Sequence, residues 1–142
     1  MAQEKRYLDV NIFVYWLTNH PKFGEIAHQW IKKIEENEGR QYVTSSLSLY
    51  ETLVVIAGLT GKNLKDKIFI SDIIKAITGI KGLIIEPLKP EDFAIAVDLM
   101  NDYNLDYEDS MHLAVALRTG AKEIISNDKD FDSSPIKGVF KT

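Results

Sequence analysis

The chain is 142 residues long, 45% hydrophobic and 27% charged, with a net charge of −4 and no cysteine. Those totals read as one domain over 1–142, long enough for a full hydrophobic core. They exclude a strongly basic, sequence-independent nucleic-acid binder, a disulfide framework and thiolate metal sites, and they fit a reducing cytoplasm. The N-terminus shows no apolar h-region and no run approaches about 18 apolar residues, so neither a signal peptide nor a membrane span is expected.

In chain order, a buried strand is expected at 6–8, then Asp9, then a helix over 11–17. Asn19, His20 and Pro21 break that helix, because proline disfavours helix in the residue before it. A second helix spans 23–37 with Ile26, Trp30, Ile31 and Ile34 as its apolar stripe, and Glu38, Gly39 and Arg40 stop it. A short strand at 41–44 leads to a third helix over 49–59, which carries Leu53, Val54, Val55, Ile56 and Ala57. A helix apolar on most sides is expected to be buried on most sides; Glu51 in its first turn is the exception. A fourth helix over 64–77 puts Leu64, Ile68, Phe69, Ile73 and Ile77 on one face. A third strand at 83–85 closes before Pro87, and Pro90 suits the first helical position of a fifth helix over 91–103, built around Phe93, Ala96, Val97 and Met100. The sixth helix, 107–119, turns Met111, Leu113, Ala114, Val115 and Leu117 inward and ends at Gly120. A fourth strand at 123–126 runs into a loop or helical turn at 127–131, and 139–140 forms a short last strand. Strands separated by helices imply an α/β fold with a parallel sheet covered on both faces.

Four acids stand where solvation alone does not explain them. Asp9 and Asp128 follow strands; Glu51 and Asp109 lie in first helical turns. Open α/β sheets gather their ligand sites at the C-terminal ends of strands, so all four are expected on one edge. Each also has a structural reading. Ser48 and Glu51 have the spacing of a capping box, Asp106 and Asp109 form a similar pair, and Asp128 suits an Asx turn. Together they demand more. Two carboxylates 4 Å apart repel by about 4 kcal/mol at an effective dielectric of 20. Several such pairs would cost much of the roughly 5–15 kcal/mol that holds a domain together, unless a proton or cation neutralises them. Oxygen ligands without cysteine or a clear histidine pair favour Mg²⁺ or Mn²⁺ over Zn²⁺. A carboxylate-bound Mg²⁺ can activate water against a phosphodiester, which is nuclease chemistry.

Four segments carry a family resemblance: YLDVNIFVY with Asp9, SLYETL with Glu51, LDYEDSMHLAVAL with Asp109 and IISNDKDF with Asp128. In this order and spacing the chain resembles the PIN domain family and, within it, the small VapC-type toxin ribonucleases. The resemblance implies a three-layer α/β/α sandwich, Mg²⁺-dependent endoribonuclease activity on RNA, homodimers and, in toxin members, a protein antitoxin. It implies Asp9 and Asp109 as main metal ligands, with Glu51 and Asp128 completing the acidic pocket through waters or a second ion. Asn11 and Ser126 match polar positions beside that pocket, and Ser126 stands in place of the more usual threonine. Asp130 and Asp132 lie close enough to Asp128 to compete for the fourth place. The alternative is a PIN-like module that binds RNA or protein without cutting.

Other residues draw notice. His112, one turn after Asp109, reads as a neighbour packed beside the pocket or bonded locally, with a ligand or base role as the alternative. His20 reads as a solvated turn residue, and His28 has no partner for a metal site. Trp16, Trp30, Tyr42 and Tyr50 read as core or interface. Arg118, Lys122 and Lys129 read either as phosphate contacts or as solvated surface. The 64–77 helix is a candidate dimer surface if its stripe exceeds what the core covers.

Overall fold

Tyr7 and Leu8 are adjacent in the chain, are both fully buried, and belong to different cores. That alternation, the period of two of a pleated strand, makes the first strand the divider of the molecule. The computed structural model describes residues 4–36, 39 and 41–141. Its strands are β1 (Lys5–Leu8), β2 (Gln41–Ser45), β3 (Leu83–Glu86), β4 (Ala121–Ile125) and β5 (Lys137–Val139). Its helices are α1 (Val10–Leu17), α2 (Gly24–Glu36), α3 (Ser46–Thr60), α4 (Lys67–Thr78), α5 (Pro90–Tyr103) and α6 (Tyr107–Arg118), and a 3₁₀ turn spans Lys129–Ser133.

All pairings are parallel and the sheet order is β3-β2-β1-β4-β5. On one face Leu8, Tyr42 and Ile125 pack with α1 through α4, using Phe13, Trp30, Ile34, Ile56 and Ile77. On the other, Tyr7, Val43 and Ile124 pack with Leu99 of α5 and Leu113 to Ala116 of α6. The expected three-layer α/β/α sandwich is therefore present. The chain moves from β1 through β2 to β3 on one side, then crosses to β4 on the other side of β1. The point where the winding reverses lies between β1 and β4, and at such a switch point the C-terminal strand ends leave a crevice. Arg6 of β1 and Glu123 of β4, which are register partners, clasp the two strands with an ion pair of 2.7 Å.

The elements depart from the expected ones in instructive ways. α1 begins at Val10 because the Asp9 carboxylate caps it. α3 begins at Ser46, three residues earlier than expected, so Glu51 sits beyond the first turn and the Ser48–Glu51 capping box does not form. Ser48 is instead buried, and its hydroxyl accepts a 2.7 Å bond from Thr44. Nor is α3 buried on most sides: Leu53, Ile56 and Ala57 are inside, while Val54, Val55 and Leu59 are exposed. α4 starts after Asp66, whose side chain caps Phe69 N–H, so Leu64 lies outside the helix and Ile68 is exposed. The buried stripe of α5 is Asp92, Ala96 and Leu99, one residue out of phase with the expected Phe93 and Val97, which face solvent. The cause is an ion pair: Asp92, fully buried, accepts from Arg118 through both oxygens at 2.9 Å. Arg118 thereby has a structural role that neither of its expected readings included. Leu117, expected inward, is exposed at the end of α6, whereas Gly120 takes the left-handed backbone that stops the helix. Asn37, Glu38 and Arg40, expected at the end of α2, lie outside the described residues.

Candidate active site

Asp9 is set by the ladder. Its N–H donates to Ile125 O at 3.0 Å, extending the β1–β4 pairing one residue, and its backbone then turns into α1. The buried carboxylate is held on both oxygens. Oδ1 accepts from Val10 N–H at 2.8 Å, and Oδ2 accepts from the Ser126 hydroxyl at 2.7 Å and the Asn11 amide at 3.4 Å. Burial pushes its pKa up, against the pull of the His112 charge and those donors, and Asp128 pushes the same way as burial.

Ser126, one residue past β4, is the hub. While donating to Asp9 its oxygen accepts from Asn11 Nδ2 at 3.1 Å and from Asp128 N–H at 2.9 Å. Asp128 then caps the 3₁₀ turn, its Oδ1 accepting from Asp130 N–H at 2.9 Å. The Asx-type role foreseen for Asp128 is thus real and coexists with its place beside the other acids.

Asp109 arrives on α6. Asp106 caps that helix by accepting from Asp109 N–H at 2.8 Å, which leaves the Asp109 carboxylate at the third helical position. Asp109 is half-buried, and its pKa is pushed up to about 8 by burial, then by the charges of Asp128, Asp106, Asp9 and Asp130. Asp109, Asp128 and Asp130 each offer a carboxylate oxygen, and the three oxygens lie within 4.8 Å of one another. Asp128 raises Asp130 in turn. Between the two rivals for the fourth place, Asp130 joins this trio, while Asp132 lines a groove of about 450 Å³ with Ser126, Asp128 and Lys137.

Glu51 of α3 and His112 of α6 complete the site. His112 is almost wholly buried; its Nε2 lies 2.7 Å from Glu51 Oε1 and its Nδ1 2.7 Å from the Tyr7 hydroxyl, which donates to Ser45 at 2.8 Å. Burial works against charge on this imidazole, but Tyr7, Glu51 and Asp9 outweigh it and hold the pKa well above the ordinary value. Both ring nitrogens of the imidazolium then donate, one to Glu51 and one to the Tyr7 oxygen. His112 thus bonds locally beside the pocket. A cleft of about 420 Å³ is lined by Asp9, Asn11, Glu51, Asp109 and His112, and also by Tyr15, His20 and Glu108. Glu108, missed in the sequence, is raised first by the charge of Glu51 and then by burial. Its only sequence signal was adjacency to Asp109. His20, read there as solvated, is half-buried on this cleft's wall.

Fold and site define an α/β/α domain with a carboxylate cleft at the switch point of a parallel sheet. The PIN domain family model matches residues 6–136, and the chain belongs to that family. Solved structures show the same fold at low identity. VapC20 of Mycobacterium tuberculosis, described as a sarcin–ricin-loop-cleaving toxin, superposes with a TM-score of 0.71 at 13% identity, over 92% of this chain and 95% of its own. VapBC2 of Rickettsia felis, bound to a promoter DNA fragment, gives 0.70 at 15% identity over 97% and 99%. A toxin–antitoxin complex from Klebsiella pneumoniae gives 0.66 at 19% identity over 95% and 96%. No curated protein matches the sequence. Among the described residues no helix is long and apolar enough to cross a membrane.

Proposed function

We propose that this chain is a divalent-metal-dependent endoribonuclease and the toxin of a type II toxin–antitoxin pair. The observation that carries the reading is the meeting of acids from four separate segments: Asp9, Glu51 and Asp109 on one cleft, with an Asp128 oxygen within 4.8 Å of Asp109. The donor set fits a hard cation, being all carboxylate oxygen, and the pKa of about 8 at Asp109, raised by burial and then by the surrounding acids, marks a carboxylate that a cation would help to ionise. In this reading Asp9, Asp109 and Asp128 hold Mg²⁺ or Mn²⁺, with Asp130 beside them. When bound, the ion supplies a polarised water and steadies the leaving oxygen of a phosphodiester. Ser126 and Asn11 fix the Asp9 carboxylate by their hydrogen bonds. His112 fixes the Glu51 carboxylate, which orients water at the cleft. Exposed Tyr50, Leu59 and Ile68, on α3 and at the start of α4, support a protein interface with an antitoxin or a second copy of the chain. The structural relatives named in toxin–antitoxin complexes support the same assignment.

Cleavage of structured RNAs is to be measured with Mg²⁺, with Mn²⁺ and with EDTA, for the native protein and for Asp9→Asn. Cleavage restored by either metal and lost with chelator and substitution is the expected result. Activity indifferent to both would refute the mechanism.

A further inference from the structure

His20 lies in the turn between α1 and α2, where its Nδ1 accepts hydrogen bonds from the backbone N–H of Lys22 at 3.1 Å and Phe23 at 3.0 Å. A ring nitrogen that accepts carries no proton, so the proton resides on Nε2. Nε2 has no partner among the described residues. The ring is also clamped. It stacks on Phe23 at 5.1 Å and 20°, and Tyr15 meets it at 4.9 Å.

The residue that carries this donor lines the acidic cleft. RNA brings phosphate oxygens there, which need donors, and carboxylates kept ionised by a bound cation have none to give. Of the side-chain donors lining the cleft, Asn11 is spent on Asp9 and Ser126, and His112 on Tyr7 and Glu51. Tyr15 accepts from Asn127 at 3.3 Å and keeps its own hydroxyl proton. His20 and Tyr15 are what remains, and among the described residues no lysine or arginine lines the cleft.

We propose that His20 Nε2–H, beside the Tyr15 hydroxyl, grips a non-bridging phosphate oxygen of single-stranded RNA next to the bond that is cut. The inference rests on the ribonuclease reading and assigns His20 as a substrate-binding residue of that site. Neutral donors suit the position: they hold a phosphate without pairing with, and so quenching, the acids alongside.

Two substitutions separate this contact from the turn. His20→Asn keeps an acceptor for the Lys22 and Phe23 amides, since asparagine forms such turns readily, and its shorter side chain leaves no donor at the Nε2 position. His20→Gln does the reverse, placing an amide near the Nε2 position and losing the turn acceptor. Binding of a fluorescent single-stranded oligoribonucleotide is measured by anisotropy in the Asp9→Asn background, where the probe stays intact, and stability by thermal denaturation. His20→Asn is expected to weaken binding about tenfold, the worth of one hydrogen bond to a charged group, with only the small drop in melting temperature that losing the ring contacts to Phe23 and Tyr15 brings. His20→Gln is expected to bind within about twofold of the parent and to melt lower. Unchanged affinity in His20→Asn, equal losses in both variants, or a parent that binds no single-stranded RNA would each overturn the proposal. Cleavage by the native protein with Mg²⁺ is scored separately. If it is absent while His20→Asn still loses affinity, the ribonuclease reading falls and the contact stands.

Discussion

Asp109→Asn should stabilise the metal-free protein at high pH. Burial and neighbouring charges raise Asp109 from 3.8 to about 8. Taken whole, that span of about four decades in proton affinity is ~6 kcal/mol. Asp109 is only half-buried, so solvent screens most of it, leaving about 2 kcal/mol. Charge at a helix N-terminus returns roughly 0.5 kcal/mol, for a net of about 1.5 kcal/mol. The folded pKa lies above the unfolded one, so the favourable contribution is complete below about pH 4 and is lost as pH rises through about 8. In EDTA the variant and parent should therefore melt together near pH 4, and the variant several degrees higher near pH 9, roughly 3–6 °C for a chain of this size. Among the described residues no side-chain hydrogen bond of Asp109 confounds the comparison, because its bond to Asp106 uses the backbone. Adding Mg²⁺ should invert the order, since a ligand at a hundred times its Kd stabilises by about 2.7 kcal/mol and the variant forfeits this. Equal melting temperatures near pH 9 without metal would refute the reasoning.

Further outcomes follow from the buried polar pairs. Arg118→Leu leaves the fully buried Asp92 uncompensated and should cost about 3 kcal/mol in urea denaturation, most of it recovered when Asp92→Leu is added. Ser126→Ala removes the shared hydroxyl of Asp9, Asn11 and Asp128; Mn²⁺ titration should show weaker binding, and Ser126→Thr should retain it. Tyr7→Phe strips the acceptor from His112 Nδ1 and the donor from Ser45, costing about 1–3 kcal/mol by thermal denaturation and lowering the His112 pKa seen by ring ¹⁵N NMR.

The sandwich was legible because apolar runs and breaks alternate along the chain, and Asp9 and Asp128 because strand ends are marked by the change of pattern. Glu51 was legible as a site acid, but its place in the first turn was wrong for a local reason. Its spacing from Ser48 imitates a cap, yet α3 starts at Ser46 and the glutamate instead meets a histidine 61 residues away. The phase of α5 was hidden in the same manner, since a stripe led by an aspartate looks like surface until Arg118 is known to cover it. Asp130 and Glu108 sit beside stronger candidates, and adjacency in sequence does not say which of two neighbours points inward. His20 shows the converse: a proline after it signals a turn, but not that the turn borders the acidic cleft.

Ser126 gives the site an economy with a cost in evolvability. One hydroxyl serves the first strand's acid, the first helix's amide and the fourth strand's loop at once. Drift at any of these positions is felt at the others, so Asn11, Ser126 and Asp128 should behave in combination as a single epistatic unit. Descendants of this chain are expected to change them together or keep them all.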